Sequence, residues 1–226
     1  MTMTTFHLVS IFPEVFPAYF AAGVLDRGQK KGKLKFCFYD LRDFTQDKHR
    51  KVDDTPFGGG PGMVLKIEPI FEVLKKIKKD LKDQGVGEKE IRTILFSAKG
   101  KKFNQKKAQK MASFRHLIFI CGRYEGVDER VAENLADEEI SVGDFVLSGG
   151  EIPAMLVADA VSRLIPEVLG NQASLENESH DPRNGCWKKD YPVYTQPRIF
   201  NGWSAPEVLF SGDHQKINAW REKRRK

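Results

Sequence analysis

The sequence predicts an α/β fold with a mostly parallel sheet, and three observations carry that prediction. Strand-like and helix-like segments alternate from Phe6 to Leu164. The run Leu117 to Cys121 is apolar at every position, as an interior parallel strand covered on both sides must be. Three strand ends run directly into glycine-bearing turns, the places where open parallel sheets gather their binding loops.

Taken in order, Phe6 to Ile11 and Leu34 to Tyr39 read as buried strands on either side of an amphipathic helix from about Glu14 to Asp26. A second helix covers about Glu68 to Lys82. Its apolar stripe is Ile67, Ile70, Phe71, Leu74, Ile77 and Leu81, with lysines on the solvated face. Ile91 to Ser97, a lysine-rich segment, a helix around Asn104 to Ala112 and the strand Leu117 to Cys121 follow. A short helix at Asp128 to Leu135 and strand material at Ile140 to Leu147 lead to a helix from about Glu151 to Leu164. Apolar residues run nearly all round that last helix, so it is expected to be buried, with a subunit interface as one way of burying it. After Pro166 the texture turns polar, and Gly170 to Gly185 reads as a linker or loop. The remainder, with Trp187, Tyr191, Tyr194, Trp203 and Trp220 among prolines and cations, suggests a small helical or irregular basic module rather than another sheet.

Composition sets the outer limits. With 226 residues, 40% of them hydrophobic, the chain can bury a core, which excludes disorder. Lys and Arg number 37 against 31 Asp and Glu, a formal charge of +6, and Arg221 to Lys226 is cationic apart from Glu222. That balance favours a polyanionic partner but is also reached by proteins that have none. Cys37, Cys121 and Cys186 stand far apart, which suggests neither a disulfide framework nor a thiolate zinc site. No apolar run approaches the roughly 20 residues that span a bilayer, and no basic segment precedes an apolar core at the N-terminus. A cytoplasmic protein is therefore expected.

Several segments carry chemistry. Arg42 to Met63 is a long polar loop ending in glycines, including Gly58, Gly59, Gly60 and Gly62. Such a loop either brings backbone N–H groups against a ligand, with Lys48, His49, Arg50 and Lys51 near phosphate, or is a plain flexible connection. It is neither a Walker loop nor a dinucleotide fingerprint. The turns Leu95 to Gly100, Cys121 to Gly126 and Ser141 to Glu151 each admit a reading as simple turn chemistry, but three in succession favour one shared small-molecule pocket. Arg163 is either an i,i+4 partner of Asp159 or a fixed cation facing developing negative charge. Glu178, Asp181 and Asp190 read as solvated carboxylates on their own.

The blocks RDFTQDKHRKVDDTPFGGGPGM, CGRYEGVDER, SVGDFVLSGGEIPAM, VSRLIPEVLGNQAS and the tail from PVYTQPRIFNG to INAWR, in this order, closely resemble the bacterial tRNA (guanine-N1)-methyltransferase family. The resemblance implies a knotted α/β fold of the SPOUT class, with the knot toward the C-terminal end of the sheet domain and helices on both sheet faces, plus a small, mainly helical C-terminal domain. It divides the chain into a methyltransferase domain at 1–168, a linker at 169–185 carrying the catalytic base, and a tRNA-binding domain at 186–226. It implies S-adenosylmethionine as methyl donor, a requirement for Mg2+ with ligands unknown, and a homodimer with active sites at the subunit interface. The expected partners are tRNA and a second copy, not DNA or membrane.

By motif match, the donor pocket falls to Leu95, Phe96 and Ser97, to Gly122, Tyr124 and Glu125, and to Val142, Gly143, Phe145, Leu147, Gly149, Gly150 and Pro153. The target guanine falls to His49, Asp53 and Gly62, and Asp190 matches a family acid in DYPVYTQP. Arg163 takes the cation's role and Glu178 the base's, with Asp181 the alternative base, because Asn177-Glu178-Ser179-His180 stands where the family shows an aspartate before serine. Gln196 replaces the family's arginine, and the C-terminal domain is shorter than in many relatives. Two other readings stand beside this one: a knotted methyltransferase for a different RNA nucleotide, and an RNA-binding protein of the same fold that has lost catalysis.

Overall fold

The computed structural model describes residues 3–170 and 190–225. The chain divides into two compact units, 1–170 and 171–226. The first is built on a five-stranded sheet whose strands are β1 (Thr4–Ser10), β2 (Leu34–Asp40), β5 (Ile91–Lys102), β6 (His116–Cys121) and β7 (Glu138–Ser141). Their order is β2-β1-β6-β5-β7 and every pairing is parallel.

Alternation along the strands sends side chains to two separate cores, because successive residues of a strand face opposite sides. Phe6 and Leu8, Ile94 and Phe96, and Leu117 and Phe119 join one cluster. It is roofed by α1 (Phe16–Phe20), α2 (Gly23–Lys30), α4 (Gln105–Met111) and α6 (Glu151–Ser162). Val9, Leu95, Ile118 and Ile120 join the other, under α3 (Ile67–Asp83) and α5 (Glu129–Asn134). The sheet thus carries helices on both faces, as the sequence predicts.

Two element predictions in this unit need correction. The helix expected over Glu14 to Asp26 is broken into a 3-10 turn at Pro13–Val15, then α1, then α2. The break lies at Ala21 and Ala22, where Ala22 is extended and Gly23 takes φ +59°. The strand expected over Ile140 to Leu147 ends at Ser141, whose hydroxyl donates to the Gly143 carbonyl at 2.9 Å and turns the chain out of the sheet. The helix from Glu151 is buried within one chain on one side only, since Ile152 is 55% exposed and Leu156 43%, which leaves the subunit interface as the expected cover for the other.

Asp53–Asp54 (β3) and Val64–Leu65 (β4) form a two-stranded ribbon outside the main sheet. In the second unit, Ile199–Phe200 (β8) pairs antiparallel with Trp203–Ser204 (β9), so a hairpin stands where no sheet was expected. Its turn is Asn201-Gly202, both at positive φ, the dipeptide that two-residue hairpin turns favour. Helix α7 (His214–Arg224) is capped by the Asp213 carboxylate, which accepts from the Gln215 and Lys216 N–H groups. Arg221, Lys223 and Arg224 lie in its last turn, where cations complement the helix dipole. Arg221 stacks on Tyr191 and Arg198 on Phe210, with ring distances of 4.9 and 4.3 Å.

Candidate functional site

Loops following β5, β6 and β7 meet at the carboxyl ends of these strands around a cavity of about 450 Å³, within the size range of small-molecule sites. One wall is β5 itself. It pairs with β7 up to Phe96 opposite Ile140 and resumes at Lys101 opposite the same residue. The intervening residues bulge out, and Leu95, Phe96 and Ser97 line the cavity with Lys99. Gly122, Tyr124 and Glu125 supply the second wall, immediately after β6. Val142, Phe145 and Leu147 supply the third, which continues through Gly149 and Gly150 to Pro153 in the first turn of α6.

Of the residues that the resemblance assigns to this pocket, Gly143 alone does not line it. Gly143 lies beneath the Phe145 ring, so closely that a Cβ would fall 2.3 Å from Cε1. Gly150 sits flush against β6: a Cβ there would meet the Cys121 Cα at 2.7 Å, so only glycine lets α6 start so near the strand end.

The long polar loop is fastened to the second wall. The Leu65 N–H donates to the Gly126 carbonyl at 3.0 Å, and the Glu125 N–H donates to the Met63 carbonyl at 3.0 Å. Burial, then the neighbouring Asp53 carboxylate, raise the Tyr124 phenol above its ordinary pKa. Gly62, at φ +84°, lies where a Cβ would strike the Glu125 side chain at 2.7 Å. Asp53 and Gly62 are thus brought against cavity residues. His49 is exposed farther out, its N–H donating to Asp47 at 2.9 Å.

Arg163 is not part of this cavity's lining. It caps the C-terminus of α6, whose N-terminal turn contributes Pro153, and the intervening helix rise is about 15 Å. Glu178 and Asp181 lie outside the described residues. Asp190 belongs to the second unit, where its carboxylate accepts from the Tyr191 N–H at 2.9 Å.

Sequence reasoning missed a set of charged residues here. Lys99 pairs with Glu129, and both line the cavity with Glu139. Glu139 Oε1 is buried without a hydrogen-bond partner among the described residues, 4.0 Å from the Lys99 ammonium. Arg123 and Glu151 form a partly buried ion pair at 2.9 Å. The available signals were weak, since an arginine beside a glycine turn and a glutamate in a first helical turn both read as solvated charges. Among the described residues, no group of three or more His, Cys, Asp or Glu is arranged to hold a metal ion. No helix there is long and apolar enough to cross a membrane.

An open parallel sheet with helices on both faces and a cavity of loops at its carboxyl edge defines an α/β protein with room for a small molecule at the strand ends. Residues 4–226 match the model of one family, described as tRNA (Guanine-1)-methyltransferase TrmD. The chain belongs to that family of methyltransferases. A tRNA (guanine-N(1)-)-methyltransferase of Dictyoglomus turgidum is 49% identical over 98% of this chain and 84% of its own length. One from Carboxydothermus hydrogenoformans is 46% identical over 96% and 80%. Among solved structures, a tRNA (m1G37) methyltransferase from Aquifex aeolicus superposes with a TM-score of 0.79 at 40% identity, covering 97% of this chain and 88% of that one.

Proposed function

We propose that the protein transfers a methyl group from S-adenosylmethionine to N1 of the guanine 3′ of the anticodon in tRNA, the position that the Aquifex aeolicus enzyme carries in its name. The observation that carries this reading is the cavity at the ends of β5, β6 and β7, with apolar walls at Phe145, Leu147 and Pro153 and the carboxylates of Glu125, Glu129 and Glu139 in its lining. S-Adenosylmethionine supplies an electrophilic sulfonium methyl, a purine face and hydrogen-bond donors, and this lining suits all three. The knot implied by the family fold would be formed from these same loops.

The remaining task falls to the chain's own residues. Guanine N1 carries a proton and attacks poorly until that proton is removed, so the protein must orient the base and accept the proton. Arg163 would face O6 and stabilise the negative charge that spreads there as N1 loses its proton. Glu178, or Asp181 in its place, would accept the proton. Asp53, near Tyr124, and Gly62, against Glu125, would border the guanine beside the donor, with His49 on the RNA side. The described residues offer no cluster of metal ligands, so no step is assigned to Mg2+.

This reading requires a homodimer. Arg163 sits about 15 Å of helix rise from Pro153 in its own chain, so it would serve the partner's cavity. Ile152 and Leu156 on α6, with the 43%-exposed Tyr19 on α1, form the apolar face that a second copy would cover. The cationic, aromatic second unit, with Asp190, would hold the tRNA through contacts that weaken with salt.

Mapping the modified position after incubating purified protein, donor and unmodified tRNA tests the proposal. Methyl at N1 of guanine 37 is the expected result; methyl on another nucleotide, or none with excess Mg2+ present, overturns it.

A further inference from the structure

Glu151 is 2% exposed, and a carboxylate that deep must be held charged by partners or not at all. Three partners hold it. The Ser10 hydroxyl at the end of β1 donates to its Oε1 at 2.6 Å, and Arg123 Nε donates to its Oε2 at 2.9 Å. It also lies in the first turn of α6, where the helix dipole favours negative charge and no side chain caps the helix.

The arginine extends the network across the cavity. Arg123 Nη1 donates to the Ser148 carbonyl at 3.3 Å, and Arg123 forms a β-bridge with Gly149. Its guanidinium lies over the Phe12 ring at 4.8 Å, while Arg42, from the start of the long polar loop, approaches that ring at 5.6 Å. The loop after β6 and the loop before α6 therefore meet twice: through the Arg123–Gly149 backbone bridge, in which the Gly150 N–H donates to the Gly122 carbonyl at 2.8 Å, and through the buried Glu151 charge that holds the Arg123 side chain.

We propose that Glu151 is a positioning residue for methyl transfer: through Arg123 and Ser10 it fixes the spacing of the two loops that carry Tyr124 and Glu125 on one side and Leu147 and Gly149 on the other. It touches no substrate itself. The identity of the bound donor rests on the preceding reading; the clamp itself does not. Charge matters here as well as shape, because an amide in its place keeps the volume and the Ser10 contact but gives Arg123 a weaker partner.

The test uses the full-length protein with Glu151→Gln, Arg123→Gln and the double variant. Three measurements are made: S-adenosylmethionine affinity by calorimetry, hydrogen exchange of residues 122–126 and 147–150, and single-turnover methylation at saturating donor. Each single variant is expected to weaken donor binding by about tenfold or more and to speed exchange in both loops, while amides of β1 and β6 stay protected. The double variant is expected to be no worse than the poorer single, as for two residues acting as one unit. Saturating donor should restore most of the rate, placing the defect in KM rather than kcat. Donor affinity within twofold of the parent in a folded Glu151→Gln protein, or losses that multiply in the double variant, would overturn the proposal. If Glu151→Gln does not fold, Ser10→Ala decides the matter by the same readouts, and Arg123→Gln, whose side chain is 23% exposed and lines the cavity, decides it by loop exchange. A parent protein that binds no S-adenosylmethionine counts against the assigned function; the loop-exchange comparison still judges the clamp.

Discussion

Pro153 and Arg163 occupy opposite ends of one helix: the first lines the cavity, and the second caps the far end about 15 Å away along the axis. In the proposed homodimer they serve one reaction from different subunits. An Arg163→Ala chain then retains a usable cavity, and a Leu147→Glu chain retains a usable arginine. Each homodimer should be inactive, but mixing and re-equilibrating the two should return activity to about a quarter of the parent, because half the dimers are mixed and each has one intact site. Methylation assays on the mixture against each parent variant check this. No recovery, with mixed dimers demonstrated by differential tagging, contradicts a shared site.

Arg163→Ala also separates the steps of the reaction. In the proposed mechanism the cation acts as charge develops on guanine O6 and does not hold the donor, so the single-turnover rate should fall more than tenfold. Donor affinity by calorimetry should stay within twofold, since the proposed contact of Arg163 is with the guanine and not with the donor. Equal losses in both would place the arginine in the donor pocket instead.

Gly150→Ala tests the closeness of α6 to β6. The added methyl would meet the Cys121 Cα at 2.7 Å and the Gly122 nitrogen at 2.9 Å, both backbone atoms that cannot swing aside. The helix start must shift, and overpacking of this kind costs about 1–3 kcal/mol. Urea unfolding should show that loss, together with a fall in donor affinity larger than the fall in tRNA affinity. An unchanged denaturation midpoint would show that the helix start yields to the extra methyl.

What can be read from the sequence divides along physical lines. Leu117 to Cys121 has to be an interior strand because no polar residue interrupts it, and it is fully buried as β6. Periodicity likewise locates α3. Over Glu14 to Asp26 the same signal misleads, because apolar spacing continues through Ala21 and Ala22 whereas the backbone breaks there before Gly23. Strand β7 is shorter than its composition suggests: Val142, Phe145, Val146 and Leu147 are apolar, yet they build a loop wall of the cavity rather than a sheet. Ile152 and Leu156 read as buried because composition does not say which neighbour covers a face; among the described residues of one chain, neither is covered. The Arg123–Glu151 pair is invisible for a related reason: two charges 28 positions apart signal a contact only once the fold has brought their loops together.

Away from the cavity, His7 Nδ1 lies 3.0 Å from the Tyr39 hydroxyl, and Nε2 lies 3.3 Å from His116 Nδ1. Burial, then the neighbouring His116 and Lys35, lower the His7 pKa from 6.5 to about 4. The unfolded chain therefore binds a proton at His7 before the folded one does, and stability falls as pH drops from 6.5 toward 4. Above pH 6.5 the group is neutral in both states and costs nothing. At pH 5 the unfolded state gains about 2 kcal/mol from this site, taking about 1.4 kcal/mol per unit of pKa difference. Urea unfolding at pH 7.5 and pH 5 should show the loss in the parent protein and a smaller one in His7→Phe, which removes the ring that must be protonated. The pH-dependent difference between the two proteins isolates His7 from the carboxylates that titrate nearby. Equal slopes for both would mean that the histidine stays solvated and titrates normally in the folded state.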